Sequence, residues 1–184
     1  MTEAAAAPQR VFFALWPDAA ALDALEAAAT AGVARCGGRR MGRDSLHLTL
    51  AFIGAASPAQ LDKLRNLAGQ LKVAPFDLKL DQLGWWPHNR ILWAGCQATP
   101  SCQRRLFDEL SLALAAAGFP VDQRPYSPHV TLVRNARCAD RENLPVLEAP
   151  VRWRVDTLTL AESCLQPSGN RYRVLASWPL GERQ

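Results

Sequence analysis

His47-Leu48-Thr49-Leu50 and His129-Val130-Thr131-Leu132 are two copies of one pattern, histidine, apolar, threonine, leucine, set 82 residues apart. Side chains on a strand alternate between faces, so in each copy histidine and threonine share one face and the two apolar residues share the other. Each copy therefore offers one imidazole and one hydroxyl to a surface and anchors itself through its opposite side. A single strand histidine is ordinarily a half-exposed or satisfied core residue. Repetition with a hydroxyl two places on points instead to a shared site. Of the three histidines in the chain, only His88 lies outside the copies; it falls in an isolated turn and reads as a surface residue.

Two imidazoles facing one groove form an acid–base couple near neutral pH, because one can be neutral while the other is protonated. Phosphodiester hydrolysis uses such a couple: a base takes a proton from water while an acid protonates the departing oxygen opposite it. Thr49 and Thr131 can donate hydrogen bonds to the non-bridging oxygens, where transition-state charge collects. Arg134 could add positive charge, but it stands five residues beyond His129. On a regular strand that offset would face it away, so a bulge or bend is required to bring it round. A zinc site is a weaker reading, since there is no HExxH-type spacing and neither copy contains an acid. No cysteine or serine has a recognisable nucleophile setting, and no Gly-rich phosphate-binding signature occurs. No metal or other cofactor is expected.

With 184 residues, 49% hydrophobic and 21% charged, the chain suits one globular domain or two closely joined lobes. Its net charge of +4 comes from 18 arginines and only 3 lysines, a composition that mildly favours an anionic substrate and equally fits a GC-rich genome. Five cysteines without CxxC spacing imply reduced, packed thiols in a cytoplasmic protein. No signal peptide or membrane-spanning stretch is apparent, and nothing suggests an obligate protein partner, so a monomer is expected.

The elements follow from periodicity and punctuation. Residues 1–9 read as a frayed tail, and Val11–Trp16 as a buried strand ending at Pro17-Asp18. Helices are predicted over Asp18 to about Ala34, Ser57 to about Leu71, and Ser101 to about Ala117. The intervening Arg35–Arg43 segment reads as a glycine–arginine loop, either solvated or following nucleic-acid phosphates. Strands are predicted over Ser45–Ile53, Phe76–Leu83, Arg90–Gln97, the second histidine copy, Arg152–Glu162 and Tyr172–Trp178. Pro125-Tyr126-Ser127-Pro128 leads into the second copy, a charged, proline-rich loop covers about 135–150, and turns are expected at Gly84–Asn89 and Gln166–Asn170. Trp86 could stack on a nucleobase or pack within its lobe.

The motifs place the chain beside a known family. Arg10-Val11-Phe12-Phe13-Ala14-Leu15, Leu46-His47-Leu48-Thr49-Leu50-Ala51-Phe52-Ile53-Gly54 and Pro128-His129-Val130-Thr131-Leu132 resemble the two-histidine phosphoesterase superfamily. Within it they resemble most the RNA 2′,3′-cyclic phosphodiesterases, historically called 2′-5′ RNA ligases. Leu92-Trp93-Ala94-Gly95 and Arg171-Tyr172 through Trp178-Pro179-Leu180 extend the likeness over nearly the whole chain. The resemblance implies a single bilobal α/β domain of the α+β type over 1–184, with two antiparallel sheets and outer helices around a central cleft. It implies metal-free opening of an RNA or nucleotide 2′,3′-cyclic phosphate to a 2′-phosphate. His47 then matches the general acid, His129 the base, Thr49 and Thr131 the phosphate-holding hydroxyls, and Arg134 a basic residue after the second motif. Reversible 2′-5′ RNA ligation in the same site, or a nucleotide- or RNA-binding module with little turnover, are the alternatives.

Overall fold

The apolar run at the start of the chain is buried on both faces, and this sets the layering. In the computed structural model, which describes residues 8–139, 144–166 and 169–181, strand β1 spans Gln9–Leu15. Val11, Phe13 and Leu15 join the main core, while Phe12 and Ala14 form a second small cluster with Ala161 on the other face, beside Trp16 and Tyr172. Of the predicted tail, residues 1–7 lie outside the described residues, and Gln9 already belongs to β1.

The main sheet is two lobes joined edge to edge. One lobe runs β10 (Gly169–Pro179), β9 (Thr157–Gln166), β1 and β3 (Leu48–Ala56); the other runs β7 (His129–Arg134), β6 (Ile91–Gly95) and β5 (Gln82–Trp86), with the short β2 (Arg39–Arg40) also on β7. Every pairing is antiparallel, and β3 meets β7 through Leu48 opposite Val130. A second, two-stranded sheet pairs β4 (Phe76–Leu80) with β8 (Val151–Val155). Among the described residues the fold is thus α+β, with two antiparallel sheets and three α-helices.

Strands β4 and β8 lead directly into different lobes of the main sheet, through Asp81 to β5 and through Asp156 to β9. The predicted strands Phe76–Leu83 and Arg152–Glu162 are therefore each two strands in different sheets. Asp81 makes the turn by donating its N–H to the Gly95 carbonyl while its carboxylate accepts from Gln97 N–H at 2.8 Å. At the other break the Asp156 carbonyl accepts from Leu180. Alternation held along β4, where Phe76, Leu78 and Leu80 are buried; the change of sheet left no mark on it.

The helices pack on the core side of the sheets, and Phe107 and Ser111 of the third also line the histidine cleft. Helix α1 (Ala19–Cys36) begins at Asp18, whose side chain accepts from Ala21 N–H, and lies on β7 and β8. It comes so close that a Cβ on Gly32 would sit 2.4 Å from a Leu92 methyl. Helix α2 (Pro58–Gln70) starts with a reciprocal Ser57–Gln60 capping box and buries Leu61, Leu64 and Leu67, as the leucine stripe predicted; Leu71 falls just beyond its end. Helix α3 (Ser101–Ala116) packs on α2, β3 and β4 through Leu106, Leu110 and Leu114.

Two local expectations are corrected. Gly84 to Trp86 belong to β5, so the turn is confined to residues 87–90. The cysteines are not all thiols: Cys36 at the end of α1 and Cys138 beyond β7 form a disulfide, leaving Cys96, Cys102 and Cys164 free among the described residues. Their separation of 102 residues gives no sequence signal; the β2–β7 pairing brings them together. Parts of the 135–150 loop (140–143) and of the 166–170 turn (167–168) lie outside the described residues.

Gly38 makes the β2–β7 junction possible. Its φ is +93°, and a Cβ there would stand 2.7 Å from the Arg134 carbonyl oxygen and 2.9 Å from Val133. Left-handed strain of about 1–2 kcal/mol adds to overpacking of about 1–3 kcal/mol. Gly38→Ala should lower unfolding stability by roughly 2–5 kcal/mol in a urea titration; a midpoint equal to wild type would show that this junction yields freely.

Candidate active site

The single pair Leu48–Val130 fixes where the two motifs stand. Both residues are fully buried, so their neighbours on either side turn to the opposite face. In an antiparallel register centred on that pair, His47 lies toward Thr131 and Thr49 toward His129,. The two copies are thereby related by a local two-fold arrangement. All four side chains line one open cleft of about 980 Å³, together with Arg134, Trp86, Tyr172, Phe52 and Arg10.

Arg134 reaches this face by the bulge that its spacing required. Between β6 and β7, Trp93 pairs with Thr131 but Leu92 pairs with Val133, leaving Leu132 as the extra residue. The Leu132 carbonyl accepts instead from Met41 N–H at 2.9 Å. Leu132 and Val133 are consecutively buried, and the residue after them faces the cleft.

Each imidazole is oriented in the same way. His47 Nδ1–H donates to the Ser45 carbonyl at 2.9 Å, and His129 Nδ1–H donates to the Ser127 carbonyl at 2.8 Å. A carbonyl only accepts, so Nδ1 must carry hydrogen in both rings. That leaves each Nε2 as the position that can take up or release a proton. Among the described residues neither threonine hydroxyl is engaged by a protein partner, so both can turn to a ligand. The shared serine was visible in the sequence: extended backward, both copies read Ser-x-His-x-Thr-Leu.

Aromatic rings wall in both histidines. Trp16 stacks on His47 with centroids 5.1 Å apart, Phe12 lies at 5.0 Å, and Tyr172 meets it edge-on at 4.7 Å. Trp86 stands nearly perpendicular to His129 at 4.5 Å, backed by Trp93. Trp86 thus touches a motif histidine directly, rather than projecting from a hairpin tip. The box around His47 escaped the sequence reading because Phe12 and Trp16 lie within an undivided apolar run and Tyr172 is 125 residues away in the chain.

These walls act on protonation. Burial lowers the His47 pKa to about 4; the Ser45 carbonyl opposes that shift, while the charges of His129 and Arg134 add to it. Burial also lowers His129, again opposed by its carbonyl partner. The free cleft therefore holds two neutral imidazoles beside an arginine, a setting that an anion would stabilise. Among the described residues no cluster of three or more His, Cys, Asp or Glu side chains could hold a metal ion. No described helix is long and apolar enough to cross a membrane.

Paired imidazoles, paired hydroxyls and an arginine on one cleft define a phosphoester-handling α+β protein, and comparisons with known proteins agree. The family model of the 2′-5′ RNA ligase superfamily matches residues 14–163; the chain belongs to that family. It is 32% identical over 173 residues to the RNA 2′,3′-cyclic phosphodiesterase of Escherichia coli K12, covering 94% of this chain and 97% of that protein. The corresponding enzyme of Thermus thermophilus is 31% identical over 145 residues, covering 73% and 72% of the two chains. The crystal structure of E. coli LigT complexed with 3′-AMP superposes with a TM-score of 0.87 at 32% identity, over 95% of this chain and 99% of that one. The MHV ns2 PDE domain, at 12% identity and a TM-score of 0.53 over 84% of this chain and 99% of that one, shares the fold.

Burial of His47 has a measurable consequence. Its folded pKa of about 4 lies below the ~6.5 of an unfolded histidine, so between those values the unfolded chain binds more protons. Stability then rises with pH through that window and is lost as pH falls through it, by on the order of 3 kcal/mol. Heteronuclear NMR of the ring nitrogens should show His47 titrating near pH 4, while a midpoint near 6.5 would mean the aromatic box does not dehydrate it.

Proposed function

We propose that this chain hydrolyses 2′,3′-cyclic phosphate ends of RNA or nucleotides to 2′-phosphates, without a metal, using His47 and His129 as an acid–base pair. The observation that carries this reading is the presence of two imidazoles on one cleft, each with Nδ1 tied to a carbonyl and Nε2 left for proton transfer. Family membership and the activity named for the relatives support it.

In the proposed reaction, Thr49, Thr131 and Arg134 hold the non-bridging oxygens. Neutral His129 takes a proton from water through Nε2 as the water oxygen bonds to phosphorus. The phosphorus–O3′ bond breaks on the opposite side, and protonated His47 gives its proton to O3′. Imidazole charge is exchanged, a 2′-phosphate remains, and the next turnover requires proton return from His129 to His47 through solvent. The free protein has His47 as an imidazole that is hard to protonate, so this role requires the bound phosphodiester to raise its pKa. An anion among neutral rings and away from bulk water does so. Joining 2′-5′ ends uses the same groups in the same roles: a 5′-hydroxyl takes the place of water and gives its proton to His129 as its oxygen bonds to phosphorus, while His47 protonates the departing O3′.

Arg134 neutralises charge without needing a metal, and Trp86, nearly perpendicular to the His129 ring, is proposed to stack on a nucleobase. The whole chain is proposed to work as one bilobal unit, and as a monomer, because every group in the scheme comes from one chain. A cytoplasmic location belongs to the same proposal.

Opening of 2′,3′-cyclic AMP should proceed at full rate in EDTA, yielding the 2′-phosphate. Loss of rate in chelator that zinc or manganese restores would overturn the scheme. His47→Ala should slow this substrate by roughly 100- to 10,000-fold yet recover on a nitrophenyl phosphodiester, whose leaving group needs no proton. Recovery by His129→Ala in its place would reverse the two roles.

A further inference from the structure

The two residues of β2 face opposite environments. Arg40 turns to helix α1 and pairs with Glu26 at 3.3 Å, and the nearby Arg43 also reaches Glu26 and Asp23, both at 2.6 Å. Arg39 points the other way. It stands directly across from Arg134 in the β2–β7 register, so the two side chains share the cleft face as nearest cross-strand neighbours. Like charges so placed repel, and among the described residues neither has a carboxylate within ion-pair distance.

Two more exposed arginines gather at this end. Ile91 pairs with Arg134 on its other side, and the preceding Arg90 accepts from Ala136 N–H through its carbonyl at 2.9 Å. Arg137 N–H donates to the Cys36 carbonyl at 2.8 Å, and the Cys36–Cys138 disulfide ties that segment to the end of α1. Neither Arg90 nor Arg137 has an acidic partner among the described residues. Acids of α1 thus neutralise one face of β2, while Arg39, Arg90 and Arg137, exposed at strand ends and turns next to Arg134, keep their charge. Arg39, Arg90 and Arg137 lie beyond the groups assigned to the reacting phosphate, so the anions that fit there are further phosphates of the same strand.

We propose that Arg39, Arg90 and Arg137 form a track for the phosphodiester backbone upstream of the cyclic end, making RNA oligonucleotides, rather than cyclic mononucleotides, the preferred substrates. The proposal rests on the cyclic phosphodiesterase reading of the cleft. It gives the glycine–arginine segment 35–43 a specific role: β2 holds Arg39 beside Arg134, and the track begins there.

The test compares 2′,3′-cyclic AMP with a short oligoribonucleotide ending in adenosine 2′,3′-cyclic phosphate, for wild type and for a triple variant, Arg39→Gln, Arg90→Asn, Arg137→Gln. Asparagine is chosen at 90 because that residue has a φ of 54°, which asparagine tolerates. Each phosphate contact on a single strand contributes a slope of about −0.7 to log affinity against log salt. Three contacts give about −2, so wild-type kcat/KM on the oligonucleotide should fall roughly 15-fold more than on cyclic AMP when salt is raised fourfold. The triple variant should lose about tenfold or more on the oligonucleotide at low salt, with the extra salt dependence gone and cyclic AMP turnover unchanged. An unchanged oligonucleotide rate, or equal losses on both substrates, overturns the track while leaving the cleft reading intact. Failure of wild type to turn over either substrate overturns the cleft reading and the track with it.

Discussion

The site depends on one backbone pairing. Leu48 opposite Val130 is where the two lobes of the main sheet join, and its register decides whether the histidines meet. A slip of one residue would turn one motif's imidazole and hydroxyl into the core and expose its apolar side. Burial of Leu48, Leu50, Val130 and Leu132 makes that slip costly. Four buried apolar residues therefore specify the geometry of the two histidines and two threonines that face the cleft.

The second requirement is a dry wall behind each ring. Phe12 and Ala14 line the cleft face of β1 while Val11, Phe13 and Leu15 fill the core, so one strand serves both. The resulting burial keeps the imidazoles neutral in the free protein. A neutral pair beside Arg134 is ready for an anion without a prior ion pair to break. The same burial makes His47 a stronger acid once it is protonated, which suits its proposed role of giving a proton to the departing O3′.

Much of this was legible in the sequence. The repeated motif identified the four polar side chains, and parity alone required the bulge that Leu132 supplies for Arg134. The helices fell where leucine stripes and caps put them. What was not legible depended on contacts between distant segments. Nothing local distinguishes Asp81 and Asp156, where two strands change sheets, from polar residues inside continuous strands. The two-residue β2 is too short to show periodicity. Tyr172 reaches His47, and Cys138 reaches Cys36, only through the closed topology. Trp86 read as a turn residue because Gly84 looked like a breaker; Gly84 is instead a strand position where a Cβ would lie 2.1 Å from the Trp93 ring, the ring that backs Trp86.

If the two motifs form one catalytic unit, their histidines must act in the same transition state. The most direct measurement is a double-mutant cycle on kcat/KM for a cyclic nucleotide, using His47→Ala, His129→Ala and the combined variant. The account predicts that the double variant is little worse than the worse single one, because loss of either proton transfer already abandons the concerted path. Losses that multiply through the cycle would show two histidines working independently, and would contradict the claim that the Leu48–Val130 pairing builds one site from two motifs.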